Sequence, residues 1–212
     1  MLFGSEALKP MADLANAAVR SVDNFNWTFI ALLAFVVYVY ATAIKRKDYK
    51  GIAAGLALYM VHWFYEIMNA VIGSATGYAL WTVSPESTSF ILLIGVSWEL
   101  SMMFSIAGLG THQLLPENPK KKILGINNRV AFALGNSFLF GAVEIFLAST
   151  PAFIWVYRWW GALPVAITVY VPFFLAAYLV PDAKPKTQKI FIGGLAGVNA
   201  LLLAVLIPLG II

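Results

Sequence analysis

The chain has no cysteine, and only 11% of its 212 residues are charged. Without thiols there can be no disulfide framework, thiolate metal site, iron–sulfur ligation or cysteine nucleophile. The scarcity of charge excludes most soluble folds, because a water-soluble domain carries about 25% charged and roughly 45–50% apolar residues. Here 61% of the residues are hydrophobic and the mean hydropathy is +0.81. Too little polar surface is left to coat a globule of 23.2 kDa. Histidine is scarce as well, with two in the chain, which leaves little to ligate haem or a metal. What remains is an all-α, polytopic integral membrane bundle.

A helix needs about 20 largely apolar residues to cross the hydrocarbon layer. Six stretches qualify, at 27–44, 51–73, 89–110, 130–149, 161–180 and 190–211. Each is a continuous apolar run, whereas a membrane strand alternates. Lys45, Arg46, Lys47 and Lys50 follow the first stretch, Lys120, Lys121, Lys122 and Arg129 the third, and Lys184, Lys186 and Lys189 the fifth. Basic residues therefore mark alternate connections, which excludes a nucleic-acid patch as the source of the net charge of +4. By the positive-inside rule those connections are cytoplasmic and both termini lie outside. The expected membrane is the cytoplasmic membrane of a prokaryote, or an equivalent inner or endoplasmic-reticulum membrane.

Residues 25–212 then form a single six-span domain. Residues 1–24 precede it as an amphipathic segment on the outer interface, with Leu8, Met11, Leu14, Ala18 and Val22 at helical spacing. Trp81, Trp155, Trp159 and Trp160 fall at the expected outer boundary, where indoles commonly anchor a helix.

A carboxylate inside the hydrocarbon layer costs at least about 2.5–3.5 kcal/mol, so those that persist face a bundle interior or cavity. Seven of the ten acidic residues sit in loops or at ends, and Glu66, Glu99 and Glu144 sit inside spans two, three and four. His62 is the in-span histidine. At 1.5 Å per residue, Glu66 lies about 24 Å beyond Lys50 and Glu144 about 22 Å beyond Arg129, and Glu99 lies about 15 Å below Ser89, near the midplane. Three helices thus offer acids to one layer. Tyr59, His62, Glu66 and Asn69 recur at steps of three and four, and so share one helix face. Trp63, Tyr65 and Trp98 neighbour the acids, and Asn136 lies beside Glu144 on span four. Small polar residues in spans more often serve helix packing, which suffices for Asn199, Ser105 and Ser137.

Such a set suits proton transfer to a molecule already dissolved in the bilayer. Protonating an alkene or epoxide creates a cation that anions and aromatic faces stabilise. The catalytic candidates are Glu66, Glu99 and His62. Glu144, Asn69, Trp63, Trp98, Tyr59, Tyr65 and Asn136 are candidates to bind substrate. No cofactor and no metal are expected. The expected partners are a hydrophobic, lipid-like substrate and membrane lipids, without nucleic acid, and oligomerisation stays open.

His62-x-x-x-Glu66 with Glu99 in the next span resembles the emopamil-binding (EXPERA) family of sterol double-bond isomerases. The resemblance implies that His62, Glu66 and Glu99 handle a proton beside a carbocation, leading to double-bond isomerisation. It covers about residues 51–180, and the family's fifth-span Asn and Trp have no match here. Trp98-Glu99 is similar to the Trp-Glu pair of membrane-integral terpene cyclases, which implies cyclisation of a terpenoid. The competing expectations are a proton-coupled small-molecule transporter, suggested by three-plus-three inverted spans, and a non-catalytic subunit of a membrane complex.

Overall fold

The computed structural model describes residues 9–150 and 152–212. Leu8 and the rest of the chain before Lys9 lie outside the described residues. Among the latter, four helices are long and apolar enough to cross a membrane. They are α3 (Tyr49–Thr76), α5 (Asn128–Leu147), the composite helix Ala162–Asp182 and α8 (Pro185–Leu206). Two further helices occupy the first and third apolar stretches, α2 (Phe29–Lys45) with 17 residues and α4 (Trp98–His112) with 15. The shortness of α4 has a local cause. Its apolar stretch begins with β-branched residues around Gly95, and these form a hairpin of β2 (Ile91–Leu93) and β3 (Val96–Ser97). Ser97 then caps α4, its hydroxyl accepting from the Leu100 amide at 3.4 Å. Glu99 therefore stands in the first turn of α4, which corrects the expectation that it lies ten residues into a helical span beginning at Ser89.

The two ends of the bundle are closed differently. At one end, Asp182 accepts from Lys50 Nζ and from Arg129 Nε, each at 2.8 Å. This joins the start of α3, the end of the composite helix and the start of α5, which follows a hairpin of β4 (Lys122–Ile123) and β5 (Ile126–Asn127), so the basic-rich connections do share one side. Arg129 is buried and also donates to the carbonyl of Pro116 and to Asn128 Oδ1, each at 2.7 Å. At the opposite end, the connection after α3 and the connection after α5 meet as β1 (Trp81–Val83) and β6 (Phe153–Trp155). They pair antiparallel, with Trp81 opposite Trp155. Val83 donates to the Ile94 carbonyl at 3.1 Å, which ties the β2–β3 hairpin onto the same lid. Helix α1 (Lys9–Ala17) docks there through Ala12 and Ala15, leaving Met11 and Leu14 exposed.

Helix α3 is the central post, packed by α4, α7 (Val171–Leu179) and α8. Helix α8 is peripheral, and Asn199 fixes it by donating to the Met60 carbonyl at 2.8 Å. The composite helix is not uniform. After α6 (Ala162–Val165), residues Ala166–Tyr170 widen into a π-turn, with the Val171 amide bonded to Ala166. Pro172 lacks an amide hydrogen and so cannot sustain an α-register bond back to Thr168.

Candidate functional site

Beneath the lid lies a cavity of about 160 Å³. His62 and Glu66 line it from α3, Phe104 from α4, Phe140 and Glu144 from α5, and Val169, Tyr170 and Phe173 from the composite helix. Trp81 and Phe153 of the lid and Gly95 of the hairpin close it above. Its wall is thus aromatic and aliphatic, broken by two carboxylates and one imidazole.

Each carboxylate is held by an indole from the lid. Trp81 Nε1 donates to both oxygens of Glu66, at 3.3 and 3.2 Å. Trp155 Nε1 donates to Glu144 Oε2 at 3.2 Å, and Tyr170 Oη donates to Glu144 Oε1 at 2.5 Å. The symmetry follows from the strand register. Opposed residues on an antiparallel pair project to the same face, so the Trp81–Trp155 pair sends two indoles down from one lid. The π-turn supplies the third donor, Tyr170, which lines the cavity with Val169 and with Phe173 of α7. Such turns recur at functional sites. Gly141 permits the approach of α5 to α6: a Cβ there would lie 3.0 Å from Ala166 Cβ and 3.1 Å from the Ala162 carbonyl oxygen.

His62 is fully buried, stacked on Phe104 with ring centroids 4.3 Å apart, with the edge of Phe173 5.8 Å away. Its Nε2 is 3.4 Å from Glu66 Oε1, too poorly aligned for a hydrogen bond, and neither ring nitrogen has a hydrogen-bond partner. A buried imidazole with two free nitrogens is costly unless a ligand or a transferred proton uses them.

The other candidates are placed outside the cavity. Glu99 Oε1 accepts from the Ser89 amide at 2.7 Å, which ties the strand entry to α4. Asn69 binds the backbone of Leu80 and Trp81, accepting at 2.8 Å from the Leu80 amide and donating at 2.9 Å to the Trp81 carbonyl. It therefore aims Trp81 at Glu66. Tyr59 shares a hydrogen bond with Ser101 at 2.8 Å, and Trp98 stacks on Phe29 at 5.5 Å. Tyr65 meets Phe173 edge-on from outside, and Asn136 donates to Tyr178 Oη at 2.9 Å. Trp63 is half-buried and packs against Ile67, Ala70 and their neighbours. Of the residues read from the sequence, His62, Glu66 and Glu144 share the cavity.

The interfacial reading of the tryptophans is overturned for Trp81, Trp155 and Trp160, which are buried, whereas Trp159 is exposed. The sequence signal for Trp81 and Trp155 is indirect. Each follows an in-span Glu after a helix end and a turn, and a buried indole needs an acceptor. Tyr170, Phe104 and Phe173 carry no such signal in an aromatic-rich chain.

Gly95 is the tightest point of the site. A Cβ built there would lie 2.5 Å from Asn69 Nδ2, from Glu66 Oε2 and from Trp81 Nε1. Gly95→Ala is expected to push the Trp81 indole off Glu66 and to cost about 1–3 kcal/mol. Thermal unfolding in detergent measures the cost, and a blue-shifted tryptophan emission would report the lost indole hydrogen bond.

Residues 9–208 match a family described as an uncharacterized membrane protein family, and the chain belongs to it. It is also 40% identical over 198 residues to an uncharacterized protein of Archaeoglobus fulgidus, spanning 92% of this chain and 94% of that one. No solved structure matches.

Proposed function

We propose that this membrane protein is a cofactor-free acid–base enzyme acting on an isoprenoid-type substrate dissolved in the bilayer. The observation that carries the proposal is the convergence of Glu66, Glu144 and His62 on one aromatic-walled cavity. Glu66 delivers a proton to an alkene carbon, and the cation forms on the neighbouring carbon. Phe104, Phe140 and Phe173 offer π-faces to that cation. Glu144, with Tyr170 and Trp155 donating to its two oxygens, is the matching anion. Loss of a proton from the carbon on the far side of the cation to His62 returns the electrons as a shifted double bond, or a second alkene closes a ring first, and His62 passes that proton back to Glu66. His62, 3.4 Å from Glu66, relays the proton. The count balances without any co-reactant.

The His62–Glu66 pair is the part that resembles the EXPERA isomerases, and Glu144 takes the second acidic place that the resemblance gives to Glu99. In this reading the bundle has six spans, with α2 and α4 crossing as well, α4 completed by its hairpin. The lid faces the outer side of a prokaryotic cytoplasmic membrane, and the exposed Met11 and Leu14 rest on the interface.

The test is proton exchange. Protein in nanodiscs is incubated in D₂O with geraniol, farnesol, geranylgeraniol and squalene in turn, and the recovered lipid is analysed by mass spectrometry and NMR. At least one alkene is expected to gain carbon-bound deuterium, with a migrated double bond or a ring. Absence of deuterium from all four, together with proton-coupled flux of a small solute in liposomes, would favour a carrier instead.

A further inference from the structure

The cavity has one side on which its wall reaches the surface. Its most exposed lining residues are Met103 and Val143, 36% and 48% exposed. Leu100, Phe140 and Leu147 are partly exposed, and the remaining lining residues are buried. All five with any exposure belong to α4 or α5. Helix α4 packs chiefly on α3, and α5 chiefly on α7, so a seam runs between them. The surface flanking that seam is apolar, with Phe138, Leu139 and Phe146 exposed on α5. A surface of that kind faces hydrocarbon, where water cannot compete for the site.

Size is the second constraint. A cavity of roughly 150 Å³ lined by Leu, Ile and Phe takes up a benzene molecule, and this one holds about 160 Å³. That is room for one branched five-carbon unit. A fused four-ring nucleus is several times larger. His62, Glu66 and Glu144, unlike the seam residues, are buried in the cavity wall.

We propose that the seam between α4 and α5 is a lateral portal, through which the branched end of a linear isoprenoid chain enters from the bilayer past Met103 and Val143. The rest of the chain stays in lipid along the groove outside. The substrate class is thereby narrowed to linear polyprenyl lipids, and sterols are excluded. What happens to the chain end after entry rests on the acid–base reading; the entry itself does not, and its test does not measure turnover.

The test uses a geranylgeraniol analogue with a diazirine at its branched end, photolysed with the protein in nanodiscs, and peptide mass spectrometry to locate the adducts. Adducts are expected on the wall segments containing Phe104, Phe140 and Val169, in the wild type and equally in Glu66→Gln. Met103→Trp combined with Val143→Trp fills the portal and is expected to lower those adducts about tenfold, the equivalent of a steric cost near 1.4 kcal/mol. Leu201→Trp, exposed on α8 and away from both the seam and the cavity lining, is expected to leave them unchanged. Val143→Ala, which widens the seam, raises the rate of labelling. A diazirine-bearing cholesterol probe is expected to label helix surfaces without reaching the wall segments. Full wall labelling in the Met103→Trp/Val143→Trp protein, equal loss in Leu201→Trp, or wall labelling by the sterol probe would each overturn the proposal. Wall labelling that persists while no alkene gains deuterium would uphold the portal and reject the acid–base chemistry.

Discussion

Glu66→Gln and Glu144→Gln are each expected to lower deuterium incorporation by roughly a hundred- to ten-thousandfold, the usual range for a positioned general acid or base. Both proteins should insert and unfold near the wild-type temperature. A glutamine oxygen still accepts an indole N–H, from Trp81 at position 66 and from Trp155 at position 144, so the lid keeps a tether to each helix. Glu99→Gln is the discriminating control. Its amide oxygen can replace the carboxylate oxygen that accepts from the Ser89 amide, and the side chain lies outside the cavity lining. Turnover within about twofold of wild type is expected for Glu99→Gln, since this swap removes no proton donor from the cavity. If Glu99→Gln loses activity while Glu144→Gln keeps it, the acidic pair is the one the EXPERA resemblance implies, and the cavity chemistry proposed above is wrong.

The second large effect lies at the opposite end of the bundle. Asp182→Ala is expected to destabilise the protein by about 3–5 kcal/mol, because it strands the buried guanidinium of Arg129 without its carboxylate. The side chain of Arg129 is 5% exposed, whereas that of Lys50 is 61% exposed, although both lie 2.8 Å from Asp182. Lys50→Ala should therefore cost no more than about 1 kcal/mol, as exposed ion pairs do. Thermal unfolding in the same detergent compares the two. Equal costs would mean that Asp182 is not the tie that gathers the three connections.

The contrast between these two ends shows what the chain's pattern makes legible. The sidedness of the connections could be read from Lys and Arg alone, since charge in short loops follows an insertion rule that needs no knowledge of packing. The ion pairs of Asp182 with Lys50 and Arg129 then show those loops at one end. Glu66, Glu144 and His62 were legible for a similar reason: a buried ionisable group is expensive enough to mark itself. Glu99 passes the same filter yet lies outside the cavity lining, because the depth of a side chain depends on where its helix starts. The strand-forming residues before Ser97 shift that start by several positions, and a shift of that size moves a side chain from the midplane to the rim. The roles of Trp81 and Trp155 are not legible in the sequence, because a boundary indole looks the same whether it faces lipid or turns inward.

The amino-acid order on its own determined a membrane-embedded helical protein, the alternation of its loops and the short list of costly polar groups, because each of these depends on the transfer of one segment or one side chain from water to hydrocarbon. Only the tertiary structure decided which acids meet, what holds them and where the cavity wall reaches the surface. Those outcomes hang on the pairing of β1 with β6, the donor Tyr170 in the π-turn and the seam between α4 and α5. They are relations between segments distant in the chain, and no local pattern of residues encodes them.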